Sequence, residues 1–203
     1  MRFLPCADSG LLVELADLQE VHALYAALAD APPKGVVDLV PAARTLLLQL
    51  DPQCADLRAV EEAVRAAEPR EGLRDGGEEL EVPVVYDGAD LAEVARLTGL
   101  TEREVVDKHV GAPWKVAFGG FAPGFGYLTG GPQDLVVPRR TESRTAVPAG
   151  SVGLAGAFSG IYPRESPGGW QLIGRTDLQI WNIDRDPPAL LRPGVRVRFR
   201  EIG

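Results

Sequence analysis

The sequence predicts an α+β protein in two parts, a ferredoxin-like α/β layer over residues 1–78 and a closed β-barrel over residues 79–203. Three observations predict it. The first third alternates strand-length apolar runs with helical periodicity in the order β-α-β-β-α. A charged, glycine-rich stretch without periodicity, Pro69 to Glu79, then reads as a linker. From Trp114 onward the chain turns to short strands broken by Gly and Pro, the pattern of a barrel.

In chain order, Leu11 to Leu15 is a strand bounded by Gly10 and Asp17. Asp17 and Glu20 stand at capping-box spacing, and Val21, Leu24, Tyr25 and Leu28 follow at i, i+3, i+4 and i+7. That helix ends before Pro32-Pro33. Val36 to Val40 and Thr45 to Leu50 pair as a hairpin across Pro41 to Arg44. A second helix starts at Asp56 and turns Leu57, Val60 and Val64 inward. Glu81 to Tyr86 is the first strand of the second part. Two short helices follow, one capped by Asp90 and Glu93 and ended by Gly99, the other boxed by Thr101 and Glu104 with Leu100 and Val105 placed as a staple. Barrel strands are expected at Lys115 to Phe118, Leu135 to Val137, Ser151 to Leu154, Gln171 to Ile173, Leu178 to Trp181 and Val195 to Phe199. In the last of these, Val195, Val197 and Phe199 alternate with Arg196, Arg198 and Arg200, so one face is core and the other wet.

Composition narrows the function. Lys and Arg number 21 against 29 Asp and Glu, a net charge of −8 in 203 residues. Nucleic-acid binding needs a cationic surface that displaces counterions, and anionic membranes attract the same sign. Neither partner is expected. The helix pair superficially resembles a helix-turn-helix, but Glu102, Glu104 and Asp107 would be pushed at phosphates. Cys6 and Cys54 have no framework spacing and read as reduced thiols. No signal peptide and no apolar run of spanning length is visible, so a cytoplasmic location is expected. No metal-ligand or dinucleotide pattern occurs.

Three stretches stand out. In Gly119 to Leu128 the glycines allow close backbone approach, and Phe121, Phe125 and Tyr127 around Pro123 and Gly124 either wall a pocket or plug a tight corner. The second is Pro138-Arg139-Arg140 with Arg144, running into Val147-Pro148-Ala149-Gly150-Ser151. The third runs from Tyr162 through Ser166, Gly168, Gly169 and Trp170 to Arg175. Residues 139–175 carry five arginines and two glutamates, an excess of three positive charges in an acidic chain. Such a patch suits a carboxylate or phosphate through the bidentate guanidinium fork, unless the arginines pair with the protein's own carboxylates. His109 ends the second of the two short helices, where the helix dipole favours a cation, and is also a candidate acid or base.

These same three stretches, Phe118 to Leu128, Val147 to Val152 and Tyr162 to Thr176, resemble the family of 5-oxoprolinase B-type subunits, also called allophanate hydrolase subunit 1 or the kinase-A-inhibitor family. The resemblance extends more weakly through Gly35 to Pro41 and Thr45 to Pro52. It implies an N-terminal α+β domain followed by a cyclophilin-like barrel. It further implies a C-type subunit as partner, a lactam-utilisation-type third component and ATP-dependent opening of a small substrate, 5-oxoproline, with ATP and Mg bound by the complex and no biotin on this chain. Alternatives within the resemblance are an inhibitor of a sensor histidine kinase and an allophanate hydrolase or carboxyltransferase-like subunit.

On that resemblance, a site at the barrel mouth is completed by the partner. Arg139, Arg144 and Arg175, with backbone N–H groups at Gly124 and Gly150 and with His109, are the expected catalytic groups. Phe121, Pro123, Gly124, Phe125, Tyr127, Pro148, Gly150, Ser151, Tyr162, Ser166, Gly168, Gly169 and Trp170 are expected to line the substrate. Two departures are visible: Ala157-Phe158-Ser159-Gly160 stands where relatives carry Gly-Gln-Thr, and Ser143 precedes Arg144 where they carry Pro.

Overall fold

The computed structural model describes residues 1–70 and 78–203. The chain forms two compact units, residues 1–74 and 75–203. The linker expected from Pro69 to Glu79 falls for the most part on residues 71–77, outside the described residues.

The first unit runs β1 (Arg2–Cys6), β2 (Gly10–Glu14), α1 (Leu18–Ala29), β3 (Val36–Pro41), β4 (Thr45–Leu50) and α2 (Leu57–Ala66). Its strands form one antiparallel sheet in the order β1-β2-β4-β3. The element order is therefore β-β-α-β-β-α, with an edge strand at Arg2–Cys6 that the apolar pattern did not reveal. Pro5 and the exposed residues of this strand are tolerated because its outer edge needs no partner. Alternation on the inner strands turns Leu11 and Val13, and Leu46, Leu48 and Leu50, against Val21, Leu24 and Leu28 of α1 and Val60 and Val64 of α2. Each such side chain contributes roughly 1.5–3 kcal/mol relative to exposure. Leu57, expected inward, is instead exposed at the first helical position, ahead of the turn that faces the sheet. Asp17 does cap α1 by accepting from the Glu20 amide at 3.0 Å, while Glu20 reaches back one residue further, to the Ala16 amide at 2.9 Å.

The second unit comprises β5 (Glu79–Val84), α3 (Leu91–Thr98), α4 (Glu102–Gly111), β6 (Trp114–Gly119), β7 (Gly126–Thr129), β8 (Arg144–Val147), β9 (Ser151–Ala155), β10 (Phe158–Ile161), β11 (Ser166–Gly168), β12 (Gln171–Arg175) and β13 (Arg196–Glu201). Seven strands form a sheet in the order β12-β9-β10-β7-β6-β13-β5, and β8 pairs with β11 separately. Only β13 and β5 run parallel among these neighbours. The outer strands then meet: Val85 and Arg175 exchange two backbone hydrogen bonds of 2.9 Å each, closing the sheet into a near-barrel. A Cβ on Gly174 would lie 2.6 Å from the Val85 carbonyl oxygen, so the seam closes only around a glycine.

The capping box at Thr101 and Glu104 forms as the sequence predicts, and Gly99 ends α3 in the left-handed conformation at φ 72°. Two expected strands do not form. Leu135 lies in a 3-10 turn, Gln133–Leu135, with Val137 making one isolated bridge to Gly156, and Leu178 to Trp181 carries only a bridge from Trp181 to Ala189. Apolar residues there are fixed by loop packing, not by a ladder. Strands β7, β8, β10 and β11 are the ones the sequence hid, each three or four residues long and rich in Gly, Pro or polar residues.

Strand alternation gives the second unit two separate apolar layers. Val116, Leu128, Val152, Leu154, Ile161 and Ile173 point into the barrel, where α3 and α4 add Val94, Val105 and Val106. Phe125, Tyr127, Phe158, Trp170 and Leu172 form a distinct cluster with Val147, Ala155 and Tyr162. No helix among the described residues is long and apolar enough to cross a membrane.

Candidate functional site

The glycine-aromatic segment does not open at the mouth of the barrel. Period-two alternation puts Tyr127 on the opposite face of β7 from Leu128, and Phe158 opposite Ser159 on β10, so the aromatics cover the outer face of the sheet. Phe125 is the hub, with ring centroids at 5.1 Å from Tyr127, 5.3 Å from Trp170 and 5.5 Å from Tyr162. Phe118 stacks on Tyr127 at 4.5 Å. Phe158 meets both Phe118 and Tyr127 edge-on at 5.7 Å. That position packs here and donates nothing. Phe121 tops the cluster, 56% exposed and held at φ 66° within the turn that carries the exposed Pro123 and the half-buried Gly124.

The other two motifs wrap this aromatic layer. Strand pairing sets Ser166 opposite Val147 and Gly168 opposite Arg144. A Cβ on Gly168 would fall 2.2 Å from the Tyr162 hydroxyl oxygen, so a glycine there is what lets that hydroxyl reach its place. Burial raises the Tyr162 and Tyr127 hydroxyl pKa values, and both stay protonated. Arg140 donates its backbone N–H to the Gly169 carbonyl at 2.8 Å, and this seats the 138–144 loop beside the layer. Arg139 and Ser143 both lie against Gly169.

Several expected roles change on this geometry. Arg175 points away, to Asp87 at 3.0 Å in an exposed ion pair. The Gly150 N–H is spent on the Tyr162 carbonyl at 2.8 Å, and Ser151 pairs with Pro148 and Tyr162 through its backbone, so the Pro148–Ser151 turn buttresses Tyr162. The Ser166 hydroxyl donates to the Arg164 carbonyl at 3.2 Å.

His109 is fully buried inside the barrel, on the other side of the sheet from the aromatics. Its Nδ1 lies 2.7 Å from the Tyr86 hydroxyl and its Nε2 2.8 Å from the Ser159 hydroxyl, with Phe199 and Trp114 against the ring. Burial lowers its pKa to about 3, so the imidazole is neutral, and the cation expected at the helix end is absent.

The residue that sequence reasoning missed is Asp90. It stands at the N-cap of α3, but its side chain makes no cap hydrogen bond. Its Oδ1 accepts from Arg140 at 2.6 Å and Arg144 at 2.8 Å, and its Oδ2 from the Leu172 amide at 2.7 Å. Asp90 is 3% exposed. Burial works to raise its carboxyl pKa, and the Arg144 and Leu172 hydrogen bonds, with the two guanidinium charges, outweigh it and hold the pKa below the usual range. A capping residue three positions before a Glu looks the same in sequence whether it caps or pairs. Only the fold, which brings residue 90 beside 140 and 144, distinguishes the two.

Beside this cluster a groove of about 660 Å³ opens, walled by Asp90, Arg96, Arg139, Arg140, Glu142 and Gln171. The structure thus brings Arg139 and Arg144 together with the aromatic motifs and separates Arg175 and His109 from them.

Known proteins share this layout. Residues 1–191 match the family described as carboxyltransferase domain, subdomain C and D. The chain belongs to that family. The B-type subunit of 5-oxoprolinase from Escherichia coli O157:H7 is 44% identical over 191 residues, covering 92% of this chain and 87% of that one. The solved structure of TTHA0988 is 37% identical with a TM-score of 0.79; the match covers 96% of this chain and only 40% of that longer protein. The urea carboxylase of Kluyveromyces lactis, 19% identical, superposes with a TM-score of 0.78 over 99% of this chain and 22% of its own length, a likeness of fold alone.

Proposed function

We propose that the chain is a component of an ATP-dependent 5-oxoprolinase, working with a C-type subunit and a lactam-utilisation-type protein in the cytoplasm. The observation that carries this reading is the match to the B-type subunit of 5-oxoprolinase along 87% of that relative's length. In this reading the first unit is the ferredoxin-like domain and the second the cyclophilin-like barrel.

Opening an unstrained lactam by water is slow, and phosphorylation of the lactam oxygen by ATP would supply the leaving group. This chain's residues fit the nucleotide poorly. Asp90 already carries two guanidinium groups, and no three His, Cys, Asp or Glu side chains among the described residues are grouped to hold magnesium. We therefore place ATP and Mg on residues contributed by the partners. What this chain supplies is a dry aromatic face that excludes water and a guanidinium cluster that holds an anionic substrate in position.

A carboxyltransferase-like role is the second reading, favoured by the family to which residues 1–191 belong. It would require a biotin-bearing partner.

The deciding experiment is ATP-dependent release of glutamate from 5-oxoproline by the purified chain alone, then with the two partners. Activity only in the full mixture is expected. An assembled mixture that consumes no 5-oxoproline overturns the reading.

A further inference from the structure

Buried polar atoms without a hydrogen-bond partner are scarce in folded proteins, and each calls for an explanation. Among the described residues they are Arg140 Nε, Arg144 Nη1, Gln171 Oε1 and Arg192 Nε. Two of these four, Arg140 Nε and Gln171 Oε1, belong to residues that line one groove, and a third belongs to Arg144, which meets Arg140 at Asp90. Arg140 and Arg144 share Asp90 Oδ1, and Gln171, 4% exposed, lines the groove with Arg140. The Gln171 side chain is oriented by its Nε2, which donates to the Pro138 carbonyl at 3.2 Å and leaves Oε1 as an acceptor without a donor. Arg139 lines the same groove and has no carboxylate partner among the described residues.

We propose that this groove binds a small carboxylate that also bears an amide N–H. Unspent guanidinium N–H groups call for an anionic oxygen. The unspent amide oxygen calls for a donor, which a phosphate monoester dianion or a simple carboxylate lacks. Asp90 neutralises much of the charge on Arg140 and Arg144, so the ligand's carboxylate falls to Arg139 and its N–H to Gln171. 5-Oxoproline is such a molecule, and the choice of that ligand rests on the 5-oxoprolinase reading. The chemical class rests on the groove.

The test is calorimetric titration of the intact chain, alone and in the assembled complex, with 5-oxoproline, its N-methyl derivative and 2-pyrrolidinone. The N-methyl derivative removes the donor, and 2-pyrrolidinone removes the carboxylate. Saturable binding of 5-oxoproline is expected, at least roughly tenfold tighter than either analogue. Gln171→Leu should erase the discrimination against the N-methyl compound, and Arg139→Gln the discrimination against 2-pyrrolidinone. Unchanged tryptophan-fluorescence melts would show that both variants are folded. Binding of none of the three, in chain or complex, would mean that water alone satisfies these atoms, and would overturn the proposal. The two readings fail separately. Turnover of 5-oxoproline with KM unchanged in both variants sinks the groove and spares the function; binding with the expected discrimination but no turnover does the reverse.

Discussion

Lowering the pH should destabilise the second unit through the buried side chain of His109. The ring is wholly buried, touches no carboxylate and has its pKa depressed from 6.5 to about 3. In the unfolded chain it would take up a proton as the pH falls below about 6.5, while the folded barrel refuses that proton until about pH 3. Stability is therefore complete above the unfolded value and falls as the pH drops through that window. Linkage puts the loss at about 2 kcal/mol by pH 5 and about 3 kcal/mol by pH 4. His109→Gln keeps a polar group between Tyr86 and Ser159 and does not titrate. The assay is urea unfolding of both proteins at a series of pH values, followed by tryptophan fluorescence. Trp114, Trp170 and Trp181 all lie in the second unit, so the signal reports that unit alone. The wild-type curve should lose about 2 kcal/mol more than the variant between pH 7 and pH 5. Parallel curves for the two proteins would refute the assignment.

Three further outcomes follow from the same structure. Asp90→Asn should destabilise the second unit by about 2 kcal/mol, less than a fully buried pair would lose because the two arginines are 33% and 24% exposed, read from urea midpoints. Acid acts on Asp90 in the same direction, since a depressed carboxyl pKa gives stability that is lost as the pH falls through it. Gly174→Ala should cost about 1–3 kcal/mol through the clash with the Val85 carbonyl, and hydrogen exchange should show the Val85 amide losing protection first. In the assembled complex, Arg175→Ala should leave kcat/KM within about twofold, roughly 0.4 kcal/mol, while Arg144→Ala lowers it by more than tenfold. Equal effects would mean that Arg175 leaves Asp87 when the partners bind.

What the sequence made legible was local. Thr101 and Glu104, Gly99, and the Val195, Val197, Phe199 alternation are decided within a few residues, and the structure carries each of them. Strands such as Ser166–Gly168 are defined only by the strand opposite, so no window of sequence displays them. The aromatic motifs and the 139–144 arginines were legible as unusual stretches that the fold brings side by side. Which face they occupy was not, because that depends on strand parity through β7 and β10, and both strands went unseen. Asp90 and Gln171 lie 81 positions apart, and nothing about either marks it beforehand.

The barrel seam has a bearing on quality control. Beyond the Val85–Arg175 pair the two segments stay joined, with the Gly88 amide on the Ile173 carbonyl and the Asp90 amide on the Leu172 carbonyl. Zipping the last stave therefore delivers Asp90 to its arginines, across a chain separation that makes this contact slow to find. A molecule with an open seam would have no Asp90 cluster. Occupancy of the groove beside that cluster by a ligand would accordingly act as a latch that selects finished molecules and protects them from local opening.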